Sequence, residues 1–363
     1  MPLADAVDVV VVGGGIAGSA IARSCARRGL DVVLLEQYSI GHTVGSSHGG
    51  VRIFRFAYPD PFYVGLAQRS FELWRELEGE RSVTLIELTG GVDHGDVRSV
   101  RAVHDSLRSA GAHAEFLTPD TATSRFPGLR FEHEVCWSRD TGRVRADLAW
   151  SELVASAVSA GATVHEHTRV ESIDVVGARA RVVTATAEFD AAAVVVAAGS
   201  WVKDLLPIGM GLPPLEISQE HVFHFAPHGE VGDEWPSFIH YREPEAAYGL
   251  FTPGEGLKVG EHHAGTAIAH PDERRHDLDP ARRDAVLRYV EEWIPGVEPT
   301  PVTEATCLYT TTPNEDFVLD RRGPLVVASP CSGHGFKFAP LIGELGADLI
   351  DGTPPLARFA LRP

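Results

Sequence analysis

The stretch from Asp8 to Glu36, DVVVVGGGIAGSAIARSCARRGLDVVLLE, constrains the fold more than any other part of this chain. Asp8 to Val12 is an apolar run of strand length, Gly13 to Gly18 fits G-x-G-x-x-G, and Ser19 to Arg28 has helical periodicity. Gly29 closes the helix, Asp31 to Leu35 reads as a second buried strand, and Glu36 stands at its end, 23 residues after Gly13. Each part has a physical use in holding a dinucleotide. Gly13 and Gly15 let the backbone turn tightly and approach a pyrophosphate, while Gly18 lets helix pack closely on strand. The helix N-terminus offers amides and partial positive charge to phosphates, and a carboxylate at that distance accepts hydrogen bonds from a ribose diol. Nothing in the stretch chooses between FAD and NAD.

A length of 363 residues suits about two domains. The formal charge of -18 opposes nucleic acid or an anionic membrane as a partner. The opening residues MPLADAVDVV lack a basic segment and read as a buried strand instead of a leader, and no stretch is long enough to span a bilayer. Cys25, Cys136, Cys307 and Cys331 are widely spaced, so neither a zinc site nor a disulfide framework is indicated, and a reducing cytoplasm is the expected location. No metal-ligand spacing is present.

After Glu36 the loop Ser39–Gly50 is polar and glycine-rich. Arg52 and Arg55 follow it, fitting either anion recognition or surface pairing with carboxylates. Tyr63–Glu78 is expected to be an amphipathic helix, and Val97–Ala110, Asp147–Ala160, Pro280–Trp293 and Ala339–Ile350 are expected to be helical. Strands are expected near Glu220–Phe225, Ser237–Tyr241, Tyr248–Phe251, Leu257–His262 and Leu325–Ala328. Ala191–Trp201 is a buried strand running into small residues, which fits a second approach to the dinucleotide or a tightly packed turn. The expected organisation is a nucleotide-binding domain made of 1–85, 145–211 and 300–363. A β-rich second domain, 86–144 and 212–299, is inserted into it.

These pieces resemble the sarcosine oxidase and N-methyltryptophan oxidase family of D-amino-acid-oxidase-like flavoproteins. The resemblance rests on GGGIAGSA, on GSSHGGVRIFRFAY at 45–58, on TCLYTTTPNEDFVLD at 306–320 and on SGHGFKF at 332–338. HTRV at 167–170, VVVAAGSWV at 194–202 and GLKVGEHHAG at 256–265 match less specifically, and together the segments cover nearly the whole chain in order. It implies an α/β fold with a Rossmann-like FAD-binding domain and an α+β substrate domain.

The resemblance makes the dinucleotide FAD. Gly13, Gly15, Ile16, Ala17, Gly18, Glu36, Gln37, Ser46, Val170, Ala198, Gly199, Trp201, Gly335 and Phe336 would lie along it. Cys307, in the C-x-Y-T-x-T-P context, would be joined through sulfur to the flavin 8α carbon. The resemblance sets His48 and Arg52 beside the ring and gives Arg55 and Lys337 the substrate carboxylate. Lys258 would serve oxygen activation, with Tyr248 and His262 lining the substrate pocket. His262 would either tune the amine's protonation or serve in packing.

The activity implied is oxidation of a secondary-amine amino acid, N-methyl or cyclic, to an imine and hydrogen peroxide by a monomer acting on small molecules and molecular oxygen. Two departures bear on the substrate: Cys331 stands where an aromatic residue is common, widening the pocket, and Glu261 and His263 flank His262, making its surroundings more polar. The alternative is a flavin dehydrogenase or tailoring oxidase acting on a larger cyclic or primary amine with another electron acceptor. A NAD-dependent dehydrogenase and a non-catalytic flavoprotein are further rivals.

Overall fold

The structure, a computed structural model, describes residues 5–362 except 208, 230–234, 276 and 278. The first four residues of the opening segment therefore lie outside it.

β1 (Asp5–Val12), α1 (Ile16–Arg27) and β2 (Val32–Leu35) form the expected strand-turn-helix-strand unit. β1 lies between β2 and the strand Glu188–Val196, parallel to both, and Leu325–Ser329 runs parallel beyond Glu188–Val196. Thr163–His165 extends the other side, and antiparallel strands complete an eight-stranded sheet. The run of valines in β1 follows from this position. Val9 and Val11 face one apolar cluster, whereas Val7, Val10 and Val12 face another, so both sides of the strand are out of water. Each such side chain contributes about 1.5–3 kcal/mol relative to exposure.

α1 begins three residues earlier than its periodicity suggests, because Gly15 in extended conformation is its N-cap. Gly18 thus sits inside the helix and not ahead of it. Helix α2 (Pro61–Arg81) also starts earlier, with Asp60 accepting a hydrogen bond from the Phe62 N–H at 2.9 Å. The helices Pro280–Trp293 and Ala339–Ile350 have the expected ends. Among the described residues no helix is long and apolar enough to cross a membrane.

A nine-stranded sheet forms the second layer. Gly91–Gly95 pairs parallel with Ser237–Tyr241, so the two separated segments of the expected second unit meet in it. Its longest pairing joins Glu216–Pro227 to Val297–Thr311. The latter strand was not expected. Pro301 sits within it where the register shifts beside Phe225, and a bulge tolerates the missing donor. The domain boundary expected at 300 falls inside this strand. A short helix, Pro119–Arg125, also went unread, although Thr118 caps it through the Thr121 N–H at 3.2 Å.

A Cβ at Gly18 would lie 1.9 Å from the Gly13 carbonyl oxygen, and this neighbour is backbone that cannot rotate away. Gly18→Ala is expected to destabilise the chain by about 3 kcal/mol or more, above ordinary overpacking. Urea unfolding of the variant beside the parent measures it, and equal midpoints would refute the steric account.

Candidate active site

At the C-terminal end of β1 the chain reverses at Gly13, whose φ of +101° belongs to the left-handed region. A Cβ there would stand 2.5 Å from the Ala197 carbonyl oxygen, so this turn and the end of Glu188–Val196 touch backbone to backbone. Both readings of 191–201 therefore hold geometrically: the segment packs tightly on the glycine turn, and Ala198, Gly199 and Trp201 line the same cavity. The Gly14 carbonyl accepts hydrogen bonds from Trp150 Nε1 at 2.7 Å and from Ser19 Oγ at 2.8 Å. Glu36 is buried, with Oε2 accepting from the Gly14 N–H at 2.7 Å and Oε1 from the Tyr38 N–H at 2.9 Å. The carboxylate is thus oriented by backbone at the cavity wall.

The cavity has a volume of about 890 Å³ and runs from Glu36 to Lys337. Of the residues expected to hold cofactor or substrate, only Gly18 does not line it; its role is the packing contact with Gly13. The loop 39–50 forms one wall, pinned by Ser46 Oγ donating to the Leu308 carbonyl at 2.7 Å. Arg52 folds back over this loop, its guanidinium donating to the carbonyls of Ser46 and Val51, each at 3.0 Å, and of His48. His48 Nε2 is buried without a hydrogen-bond partner among the described residues. Burial, then Arg52, Arg274 and Lys258, push the His48 imidazole down to about 4, so it is neutral at pH 7.

Lys258 and His224 face each other across antiparallel strands. His224 Nε2 lies 3.2 Å from the partly exposed Glu255, and the imidazole is pushed down to about 4, by burial first and then by Lys258. Lys258 is buried and its ammonium is pushed down to about 7 by desolvation and Arg52, against the pull of Cys307, Glu255 and Asp147. It therefore loses its charge progressively as pH rises through that value. Burial raises the Cys307 thiol, while Arg52, Lys258 and Arg274 draw it down.

At the far end Arg55 Cζ and Lys337 Nζ lie 5.1 Å and 5.4 Å from the centre of the same ring, that of Tyr58. Lys337 Nζ donates to Tyr58 Oη at 2.9 Å and to the His334 carbonyl at 2.8 Å. The Lys337 carbonyl in turn accepts from Ser70 Oγ at 2.7 Å and Trp74 Nε1 at 2.8 Å, both on α2. Asp93 holds Arg55 from behind, with Nη1 donating to Oδ1 at 2.8 Å, and Tyr241 donates to the same oxygen at 3.1 Å. Arg55 and Arg52 are thus cavity residues and not surface partners. Tyr248 opposes Gly260, where a Cβ would stand 2.8 Å from the Tyr248 hydroxyl. The Tyr309 hydroxyl lies 3.3 Å from His262 Nδ1.

The two polar neighbours of His262 part ways, and neither lines the cavity: Glu261 is buried against Arg242 at 3.0 Å, while the His263 ring lies 4.1 Å from that of His262, centre to centre, with Nε2 3.8 Å from Glu315. Strand alternation sends residue 261 to the opposite face from His262. Cys331 does line the cavity, as do Glu255, Asn314 and Glu315, which sequence reasoning left without a role. Among the described residues no cluster of His, Cys, Asp or Glu could hold a metal ion.

Residues 8–349 match the family described as DAO, FAD-dependent oxidoreductase. The chain is 33% identical over 374 residues to monomeric sarcosine oxidase of Streptomyces avermitilis, covering 97% of this chain and 96% of that protein. It is 30% identical over 375 residues to N-methyl-L-tryptophan oxidase of Yersinia pestis, covering 97% and 99%. Among solved structures it superposes on the open form of NikD, an unusual amino acid oxidase essential for nikkomycin biosynthesis. That match has a TM-score of 0.89 and 26% identity, covering 99% of this chain and 98% of the other.

The chain belongs to the FAD-dependent oxidoreductase (DAO) family. Within that family it is a sarcosine oxidase-like, FAD-dependent amine oxidoreductase. The residues present fit FAD. Gly13 and Gly15 leave bare backbone at the wall, Glu36 stands at one end, and the buried His48 Nε2 has a polar valence free at the other.

Asp93→Asn would leave Arg55 as a buried charge without its counter-ion. Removing one partner of such a pair costs about 3–5 kcal/mol, and denaturant unfolding should show it. A change within about 0.5 kcal/mol, typical of surface substitutions, would mean that the pair is not structural.

Proposed function

We propose that this protein oxidises a secondary-amine amino acid, N-methyl or cyclic, to the imine, with molecular oxygen as electron acceptor and hydrogen peroxide as product. The observation that carries this reading is the buried pair Arg55 and Lys337 over one tyrosine ring, in a cavity lined also by Lys258 and Cys307. A guanidinium fork and an ammonium together fix a carboxylate's position and orientation. The names of the relatives, sarcosine oxidase and N-methyl-L-tryptophan oxidase, support the same substrate class.

Bound FAD supplies the acceptor for the hydride equivalent removed from the carbon beside nitrogen. The chain's residues do the rest. Arg55 and Lys337 hold the carboxylate and thereby place that carbon. With Arg52 and Lys258 they also make the cavity positive, which lowers the ammonium pKa of a bound substrate and favours the neutral amine whose lone pair the oxidation requires. His262 is pushed well below its ordinary value by burial and then by His263, so it is neutral and leaves the amine's protonation to the surrounding cations. Tyr248 and Tyr309 enclose the space, and Cys331 in place of a bulkier group leaves room for a side chain larger than methyl.

The same reading assigns the FAD an 8α-S-cysteinyl bond to Cys307 and gives Lys258 the role of holding positive charge where oxygen is reduced. It divides the chain into an FAD-binding part (1–85, 145–211, 300–363) and a substrate part (86–144, 212–299). It also describes a cytoplasmic monomer that binds neither nucleic acid nor membrane, in keeping with the charge of -18.

An oxygen-electrode screen over N-methyl, cyclic and primary amino acids, with peroxide assayed in parallel, tests the reaction. Oxygen uptake with equimolar peroxide is expected from the first two groups. Substrate bleaching of the flavin without oxygen uptake would move the assignment to a dehydrogenase. Lys258→Met is expected to slow reoxidation by oxygen about a hundredfold or more while leaving reduction by substrate within a few fold, on the scale of one lost electrostatic stabiliser. Stopped-flow measurement of both half-reactions separates the two effects, and equal slowing would reject the role.

The grip can be tested by proton linkage. Burial, then Arg55, push Lys337 well below the ordinary lysine value. A carboxylate bound beside it favours the charged ammonium and raises it again. Binding of acetate should therefore take up protons and weaken as pH rises. Calorimetric titration in buffers of different ionisation enthalpy reads the uptake directly; its absence would count against Lys337 as a carboxylate ligand.

A further inference from the structure

Arg274 follows the short turn Pro271–Glu273 and reaches across to two distant parts of the chain. Its Nη1 donates to the carbonyls of Thr43 at 2.8 Å and Val44 at 2.7 Å, in the loop that carries His48 and leads into Arg52. Its Nε donates to Thr306 Oγ1 at 3.1 Å, and Nη2 donates to the Thr306 carbonyl. The base of the clasp is fixed as well. The Arg275 N–H donates to Gln219 Oε1 at 2.6 Å, and Thr306 Oγ1 donates to the Arg275 carbonyl at 3.2 Å. On the other side of Cys307, Ser46 Oγ holds the Leu308 carbonyl at 2.7 Å. The carbonyls of the residues before and after Cys307, Thr306 and Leu308, are thus both tied to the same loop. Among the described residues the hydrogen-bond acceptors of Arg274 are uncharged oxygens, and no carboxylate pairs with it beside the thiol.

We propose that Arg274 is a positioning residue for covalent attachment of the cofactor, clasping the 39–50 loop to the strand at Thr306 so that the Cys307 sulfur is held in place. This rests on the reading of Cys307 as the point of attachment. In that step the thiol and the flavin 8α methyl group each give up one hydrogen and a C–S bond forms. The two electrons and two protons pass to molecular oxygen, giving hydrogen peroxide. Arg274 contributes geometry, by fixing backbone on one side of the sulfur, and charge, by favouring the thiolate that attacks. A lysine would keep the charge but could not reach both the loop and the strand with a planar fork.

The test follows attachment and not turnover. Full-length chain prepared without flavin is mixed with saturating FAD in air, quenched in acid at intervals, and scored for flavin fluorescence on the denatured protein. Non-covalent FAD affinity is measured separately in a Cys307→Ala background, where no attachment should occur. Arg274→Gln is expected to slow attachment about tenfold or more, the scale of losing hydrogen bonds from a charged donor, with affinity changed less than about twofold. Arg274→Lys should fall between Gln and the parent. Thr306→Val, which keeps strand propensity, should slow attachment a few fold and carries the test if the arginine variants do not fold. Attachment at the parental rate in these variants overturns the proposal, as does an attachment loss matched by an equal loss of affinity. If the parent chain itself releases all its flavin into acid, the reading of Cys307 falls and the proposal with it.

Discussion

Positive charge kept out of water governs the ring end of this cavity. Arg52, Arg55, Lys258 and Lys337 line it, and the carboxylate that Arg55 meets, Asp93, lies behind the wall instead of in it. Such an arrangement is unfavourable in an empty apolar site, and both lysines show it through ammonium groups pushed down by burial and by a neighbouring arginine. The same imbalance favours anions over cations in the cavity. An anionic ligand relieves it, a cationic amine aggravates it, and the surrounding imidazoles stay neutral for the same reason.

The scaffold holds that charge by hydrogen bonds from far along the chain. α2 secures the Lys337 carbonyl, the strand Gly91–Gly95 supplies the counter-ion of Arg55, and the strand pair bearing His224 and Lys258 sets those two side by side. At the other end of the cavity the contact of Gly13 with Ala197 leaves no room for side chains. The glycine turn lies at the edge of the eight-stranded sheet, whereas Lys258 stands on the nine-stranded sheet and Arg52 on a small three-stranded one, and all of them share one cleft.

The nucleotide end was legible in the sequence because its signals are local: valines in strand alternation, glycines in a tight turn, an acid at the end of the next strand. The helix Pro280–Trp293, with its proline at the first turn and an aspartate cap before it, was legible for the same reason. The motif residues around Arg52, Cys307 and Lys337 were found through resemblance, and the structure gathers them into one cavity. What stayed hidden depends on register and long-range pairing. Asp93 reveals itself as the partner of Arg55 only once its strand lies beside Ser237–Tyr241, and Glu255, in the turn before Gly256–Glu261, meets His224 only because that strand pairs with Glu216–Pro227. Of the polar residues that flank His262 in sequence, His263 stays beside its ring, whereas Glu261 turns away to Arg242, a difference set by strand geometry that adjacency in sequence does not reveal.

The strand Leu325–Ser329 joins the parallel sheet beside Glu188–Val196, and Lys337 follows it, late in the chain. A ribosome must therefore deliver nearly the whole protein before the cofactor cavity can close, and until then the valines of the preceding strand lack their neighbour. Contacts of such long sequence separation form slowly. A nascent chain of this kind exposes an unpaired apolar sheet edge during synthesis, the moment at which it depends most on chaperones and on an available supply of flavin.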